Sequence, residues 1–77
     1  MTLDEFIDIH KDATPLQKLN LLVDTVDIYA SDRVMAYGSN INGSIRDAEY
    51  YGKEVDHMDQ RMHWLYEELK VALKEAV

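Results

Sequence analysis

Apolar side chains recur every three or four residues through the second half of the chain. From Ile45 to Ala76 they stay in phase, as one face of a single α-helix requires. The pattern predicts one amphipathic helix over residues 44–76, about 48 Å long. A stripe of this length needs an equally long partner to cover it. We call this set the C-terminal stripe; it consists of Ile45, Ala48, Tyr51, Val55, Met58, Met62, Leu65, Leu69, Ala72 and Ala76.

A second helix is predicted over residues 15–37. Thr14 suits the N-cap, Pro15 the first helical position and Gln17 the third, which together form a helix start signal. Its apolar positions form the central stripe: Leu16, Leu19, Val23, Val26, Ala30, Val34 and Tyr37. Four more apolar residues lie outside that stripe: Leu21, Leu22, Ile28 and Met35. A helix with so wide an apolar arc is expected to contact more than one neighbour.

The N-terminal segment predicts a short helix over residues 3–11. Thr2 and Glu5 have the spacing of a capping box, in which each residue caps the backbone of the other. Nine residues do not hold a helix in water on their own. We therefore expect Phe6 and Ile7 to dock this helix onto the longer ones.

Residues 38–43 are the only part of the chain rich in glycine and asparagine, which favours a turn between two long helices. Gly38 fits the left-handed position that follows a helix, and Ser44 with Asp47 has capping-box spacing at the start of the third helix. The apolar spacing nevertheless continues through Ile41. A single bent helix, or a hairpin that opens by domain swapping, is therefore the alternative to the antiparallel hairpin that we expect.

The 77 residues correspond to one small all-α domain, residues 1–77. A core of this size rarely supplies more than about 3–5 kcal/mol, and the chain has no cysteine to form a disulfide. On a monomer, several apolar side chains away from the stripes would be exposed, namely Leu21, Leu22, Ile28 and Trp64. These considerations predict a homodimer or higher oligomer that forms a helical bundle.

Fifteen acidic and eight basic residues give a net charge of −7. This charge disfavours binding to nucleic acid or to an anionic membrane surface, because both require clustered lysine and arginine. The N-terminal residues are acidic where a signal peptide is basic, and no apolar run approaches the roughly 20 residues of a membrane span. We expect a cytoplasmic protein whose charge-selected partner is basic.

Two short segments repeat the same pattern, Val23–Asp27 and Val55–Asp59, each with aspartates three residues apart. In an antiparallel hairpin with its turn near residues 40–41, Val23 would lie opposite Met58 and Val26 opposite Val55. The aspartates would then flank one core layer. The pattern resembles the acidic pairs of all-α nucleotide pyrophosphatases of the MazG and dimeric dUTPase type, which carry glutamates at most of these positions. The resemblance implies a Mg²⁺ or Mn²⁺ site formed by Asp24, Asp27, Asp56 and Asp59.

No serine–histidine–acid arrangement and no glycine-rich phosphate loop is present, so the sequence does not predict nucleophilic catalysis. We expect a small non-enzymatic regulator or inhibitor that binds a basic, nucleic-acid-binding protein through an acidic helical face. Such acidic inhibitors are typical of phage-encoded proteins. The candidate partner contacts are Asp24, Asp27, Tyr37, Tyr50, Tyr51, Asp56, Asp59 and Trp64. The metal-dependent nucleotide-processing bundle and a structural assembly subunit are the two alternatives.

Overall fold

The computed structural model describes residues 1–41 and 45–76, which form three helices and no strand. Helix α1 spans Leu3–His10, α2 spans Pro15–Ile41 and α3 spans Ile45–Ala76. The two long helices pack against each other along their length, and α1 packs on α3. The molecule measures 50 × 21 × 14 Å. The predicted all-α hairpin is therefore confirmed, and the single continuous helix is not formed.

The N-terminal helix begins with the predicted capping box. The backbone N–H of Glu5 donates to the hydroxyl of Thr2 at 3.2 Å, and the backbone N–H of Thr2 donates to the carboxylate of Glu5 at 3.2 Å. The hydroxyl of Thr2 donates to the same carboxylate oxygen. These hydrogen bonds to its charged form lower the pKa of the Glu5 carboxyl. The helix thereby satisfies backbone donors that would otherwise lack a partner.

Helix α1 docks through Phe6, as expected. The Phe6 side chain is buried, and its ring lies edge-on to Trp64 of α3 with the centroids 5.8 Å apart. The guanidinium of Arg61 lies 4.9 Å from the Phe6 ring centroid, and it also donates to the carbonyl oxygen of Met1 at 3.4 Å. Ile7 is half-buried. Phe6 is thus the buried residue through which α1 attaches to α3.

The core between α2 and α3 is narrow. Met58 and Leu65 are its buried apolar residues on α3, and Leu65 is fully inaccessible to solvent. Thr25 is the buried residue on α2, and its hydroxyl donates to the carbonyl oxygen of Leu21 at 2.6 Å, so the buried oxygen has a partner. Every member of the C-terminal stripe from Ala48 to Ala72 is buried or half-buried. The C-terminal stripe is therefore the face on which the other helices pack.

The packing face of α2 differs from the one predicted. Every member of the central stripe is exposed, including Val23 and Val26, which were expected to lie in the core. Residues on a neighbouring face of α2 pack on α3 instead: Lys18, Leu21, Leu22, Thr25, Tyr29, Asp32 and Ala36. Because α2 has apolar residues on both faces, the helical period alone could not select the one that meets α3.

The register of the hairpin also differs from the expected one. The Nζ of Lys18 lies 3.4 Å from a carboxylate oxygen of Glu68, and Asp32 lies close enough to Glu54 for the two charges to interact. These two pairs define a register in which α3 is displaced along α2 by more than one helical turn, compared with the predicted register that places Val23 opposite Met58. The predicted alignment of the two aspartate segments across one core layer is therefore wrong.

Helix α2 continues through Gly38 to Ile41, beyond its predicted end at residue 37. Gly38 does not adopt the left-handed backbone conformation, so its predicted role as the residue that ends the helix is wrong. The rest of the predicted turn, with the cap at Ser44, lies outside the described residues. Within α3, a Cβ atom built on Gly52 would meet no atom within 4 Å, so no other helix approaches closely at this glycine.

Candidate interaction surface

The α2–α3 hairpin has two sides, and α1 covers only one of them. On the covered side, Ile9 and Ala13 lie in a groove beside Leu21, and Leu3 and Ile7 lie in another beside Trp64. Two further grooves contain residues of α2 and α3 alone. One joins Leu22 to Met62 and Tyr66, and the other joins Leu16 and Leu19 to Leu69 and Leu73. Among the described residues, none covers the side of the hairpin opposite α1.

The central stripe runs along this uncovered side. Its large apolar side chains are between 44% and 70% exposed, with Val26 the least exposed and Tyr37 among the most exposed. From Leu16 to Tyr37 the stripe is about 31 Å long. None of its members is charged. We call the central stripe together with the adjoining α3 residues Met62, Tyr66, Leu69 and Leu73 the open face.

Charged side chains border the central stripe on both sides. Helical spacing places Asp27 beside it on the edge away from α3, and Arg33 on the edge towards α3. The guanidinium of Arg33 lies 5.7 Å from the ring centroid of Tyr29 and donates to its hydroxyl at 3.5 Å. An uncharged apolar strip with charged borders has the composition of a protein–protein interface, with an apolar centre and a polar rim.

The four aspartates of the predicted metal site do not share a groove. Asp24 lies in the groove formed with the end of α1, whereas Asp59 lies in the grooves that contain Leu22 and Trp64. Asp27 and Asp56 are exposed. Within residues 1–41 and 45–76, no three histidine, aspartate or glutamate side chains form a group that could hold a metal ion. The metal site stays a prediction from the sequence alone.

The aromatic candidates divide into exposed and packed residues. Tyr37 and Tyr50 are 70% and 60% exposed, and Tyr50 stacks edge-on against the half-buried Tyr51 with centroids 5.1 Å apart. These tyrosines lie where α2 ends and α3 begins. Trp64, by contrast, contacts Phe6, and the Nζ atom of Lys18 lies 5.6 Å from the centroid of the Trp64 ring. The ring of Trp64 therefore packs where all three helices meet.

Reasoning from the sequence missed a pair of carboxylates on the two long helices. Asp32 of α2 is half-buried and lies near enough to Glu54 of α3 for the two charges to interact. Burial and the neighbouring Glu54 charge both raise the pKa of the Asp32 carboxyl. Glu54 in turn lies 3.7 Å from the Nδ1 atom of His57. The pair could not be found before the register was known, because it depends on which residues of the two helices lie opposite each other.

In the part of the chain that the structure describes, no helix is both long and apolar enough to cross a membrane. Comparison with known protein families, with curated proteins and with solved structures finds no match to this chain. The surface itself therefore carries the functional argument.

Proposed function

We propose that this chain is a small non-enzymatic interaction protein, a regulator or inhibitor that binds a protein partner through the open face. The observation that carries the proposal is that every member of the central stripe is exposed, on the side of the hairpin that α1 leaves uncovered. Contiguous exposed apolar surface of this extent is typical of protein-binding sites. The stripe presents regularly spaced anchors of the kind that pack against another helix.

The charge of the chain supports a basic partner. Asp24, Asp27, Asp56 and Asp59 are exposed, and none of them forms an ion pair with another described residue. Asp27 borders the central stripe, and a carboxylate at the border of an interface mainly accelerates encounter and selects a partner of opposite charge. A nucleic-acid-binding protein has that charge. The cytoplasmic location and the phage origin that the sequence suggests belong to the same proposal.

The test is affinity capture with variants of the open face. Val26 and Ile28 are two residues apart on different faces of α2 and are similarly exposed, at 44% and 48%. Val26→Glu should abolish retention of the partner, whereas Ile28→Glu, with the same change of charge, should retain it. The bound protein should be basic and should elute as salt rises to about 0.5 M, because salt screens exposed charges.

A second set of variants tests the role of charge. Asp27→Asn combined with Asp59→Asn should weaken retention at low salt, because Asp27 borders the central stripe and Asp59 shares a groove with Met62 and Tyr66. Asp4→Asn combined with Asp8→Asn, at two exposed positions on α1, should not. Identical retention by Val26→Glu and the original chain would contradict the assignment of the open face as the binding surface.

A further inference from the structure

We infer that a second copy of this chain occupies the open face, with the α2 helices of the two copies packed antiparallel along their central stripes. The inference rests on the proposed function, since it names one partner of the same surface. It also specifies the helix, the direction and the register of the pairing. Three observations support a second copy: the accessible area, the order of residues along the stripe, and the position of α1.

The isolated chain exposes more surface than a folded monomer of its size. Its accessible area is 5733 Å² for a mass of 8.9 kDa. Folded monomers of this mass expose about 4,800 Å². The excess of roughly 900 Å² is close to the area that each partner buries in a protein–protein interface of standard size, about 800 Å². A dimer that buries the open face would therefore bring the exposed area into the usual range.

The central stripe is nearly symmetric about Val26, as a two-fold axis requires. In an interface with this symmetry, when residue i contacts residue j, residue j also contacts residue i. Antiparallel pairing centred between residues 26 and 27 places Leu16 beside Tyr37 of the second copy. It likewise places Leu19 beside Val34 of the second copy. Both contacts occur twice, so every large side chain at the ends of the stripe gains an apolar partner.

The middle of the stripe is suited to close approach of two helices. The same pairing places Val23 beside Ala30 of the second copy, and it brings the two copies of Val26 next to the axis, offset by about 1.5 Å along the helices. These side chains are small, whereas the ends of the stripe have leucine and tyrosine. Small residues near the axis let the helices approach within the 8–10 Å usual for packed helices.

The position of α1 is compatible with this assembly. Helix α1 lies on the side of the hairpin opposite the open face, so it does not obstruct a second copy. Two hairpins joined in this way place four long helices in one bundle. The α3 residues of the open face, Tyr66 and Leu73, are 56% and 67% exposed in the single chain and lie beside the new contact.

Charge distinguishes a second copy from a basic partner. Each chain carries a net charge of −7, so two copies repel each other and their association should strengthen as salt increases. A complex with a basic protein should weaken as salt increases. The sign of the salt dependence therefore reports which occupant binds.

The first experiment is sedimentation equilibrium of the full chain between 0.05 and about 1 M NaCl, with the Val26→Glu and Ile28→Glu variants. The original chain and Ile28→Glu should have twice the 8.9 kDa chain mass at micromolar concentration, with tighter association at high salt. Val26→Glu should raise the dimer dissociation constant about 30-fold or more, because it places two glutamates, one from each copy, at the centre of the interface. Circular dichroism should show unchanged helix content, since Val26 is exposed in the single chain.

The second experiment tests direction and register by disulfide formation, which is clean because the chain has no cysteine. Val26→Cys should form a disulfide with itself across the axis, and Ile28→Cys should not. Leu19→Cys and Val34→Cys should form a disulfide only when the two variants are mixed. In the antiparallel pair, two copies of position 19 lie about 22 Å apart, far beyond disulfide reach.

A monomer at all salt concentrations overturns the inference, as does a dimer that Val26→Glu leaves intact or that forms disulfides equally well at position 28. The proposed function is judged separately by affinity capture. If the chain is monomeric and Val26→Glu still loses a captured protein, the open face binds a different partner and only the inference fails. If the dimer forms as described and nothing else is captured, self-association is the whole function and the regulator proposal fails.

Discussion

Phe6 of α1 meets Trp64 of α3 edge to face, with an interplanar angle of 85°. Aromatic pairs in this orientation contribute about 0.5–1.5 kcal/mol beyond the area they bury. Helix α1 has eight residues and would not be stable alone in water. The Phe6–Trp64 contact therefore helps to keep the N-terminal segment helical and attached to the hairpin.

Phe6→Ala should detach α1 at a cost of about 3 kcal/mol, the usual range for removing a buried phenylalanine. Trp64 should become more exposed, so its fluorescence emission should shift to longer wavelength, and cleavage by protease should increase within residues 1–14. Helix α2 and helix α3 should keep most of the circular dichroism signal. Ile9→Ala is the control, since Ile9 is 61% exposed. Equal emission spectra for the two variants would show that Phe6 does not hold the helix.

The sequence predicted the elements of this fold well because their signals are local. The capping box at Thr2 and Glu5 and the start of α2 at Pro15 each depend on residues within one helical turn. The C-terminal stripe was also identified correctly from Ala48 to Ala72, because α3 has one apolar face and that face has to be covered; its two ends, Ile45 and Ala76, are exposed. Information within a single helix was sufficient to predict the capping box of α1, the start of α2 and the apolar face of α3.

The packing of α2 could not be predicted in the same way. Its apolar residues occupy two faces, and which of them meets α3 depends on how well side chains from both helices fit together. Thr25 illustrates the difficulty: a polar residue is the buried centre of α2 because its hydroxyl bonds to the backbone of its own helix. Val26 beside it is the more apolar residue, yet it is exposed. The register of the hairpin depends on the same fit between the two helices. It differs from the register that would align the two aspartate segments.

Asp32→Asn should stabilise the fold at neutral pH. The pKa of Asp32 is raised in the folded chain, so the folded state binds the proton more tightly than the unfolded state does. Stability is therefore lost as pH rises from the ordinary aspartate pKa of about 3.9 through the higher folded value. Above that range the folded chain bears the full free-energy cost of a charged Asp32 carboxylate near Glu54, and the asparagine removes this cost. Because solvent screens this half-buried pair, we expect a gain of about 0.3 kcal/mol, or roughly 1–2 °C in Tm.

The measurement is thermal unfolding of Asp32→Asn and the original chain at pH 7 and at pH 3. The difference in Tm should be present at pH 7 and absent at pH 3, where the carboxyl of Asp32 is protonated in both states. Asp27→Asn serves as the control because Asp27 is exposed. A difference that persists at pH 3 would assign the effect to packing of the asparagine rather than to charge.

Gly52→Ala should raise the free energy of unfolding by about 0.5–1 kcal/mol. Gly52 lies inside α3, its backbone does not adopt a left-handed conformation, and an added Cβ atom would meet nothing within 4 Å. Alanine restricts the unfolded chain more than glycine and favours the helix. Gly38→Ala in α2 meets the same conditions and should behave similarly. Urea unfolding measures the change in the free energy of unfolding. A loss of stability in either variant would show that another molecule approaches the chain closely at that glycine.

Mg²⁺ or Mn²⁺ at millimolar concentration should leave the Tm unchanged relative to a control of matched ionic strength. A ligand that binds the native state raises Tm, and a divalent cation needs several oxygen ligands converging on one point. Asp24 and Asp59 lie in grooves that have no residue in common. Their carboxylates therefore do not converge on one point in the single chain. A rise of several degrees that Asp27→Asn abolishes would contradict this expectation. It would require the aspartates of two chains to converge in an assembly, and would favour the nucleotide-processing alternative over the interaction protein. A rise that Asp27→Asn leaves unchanged would place the cation elsewhere on this acidic surface.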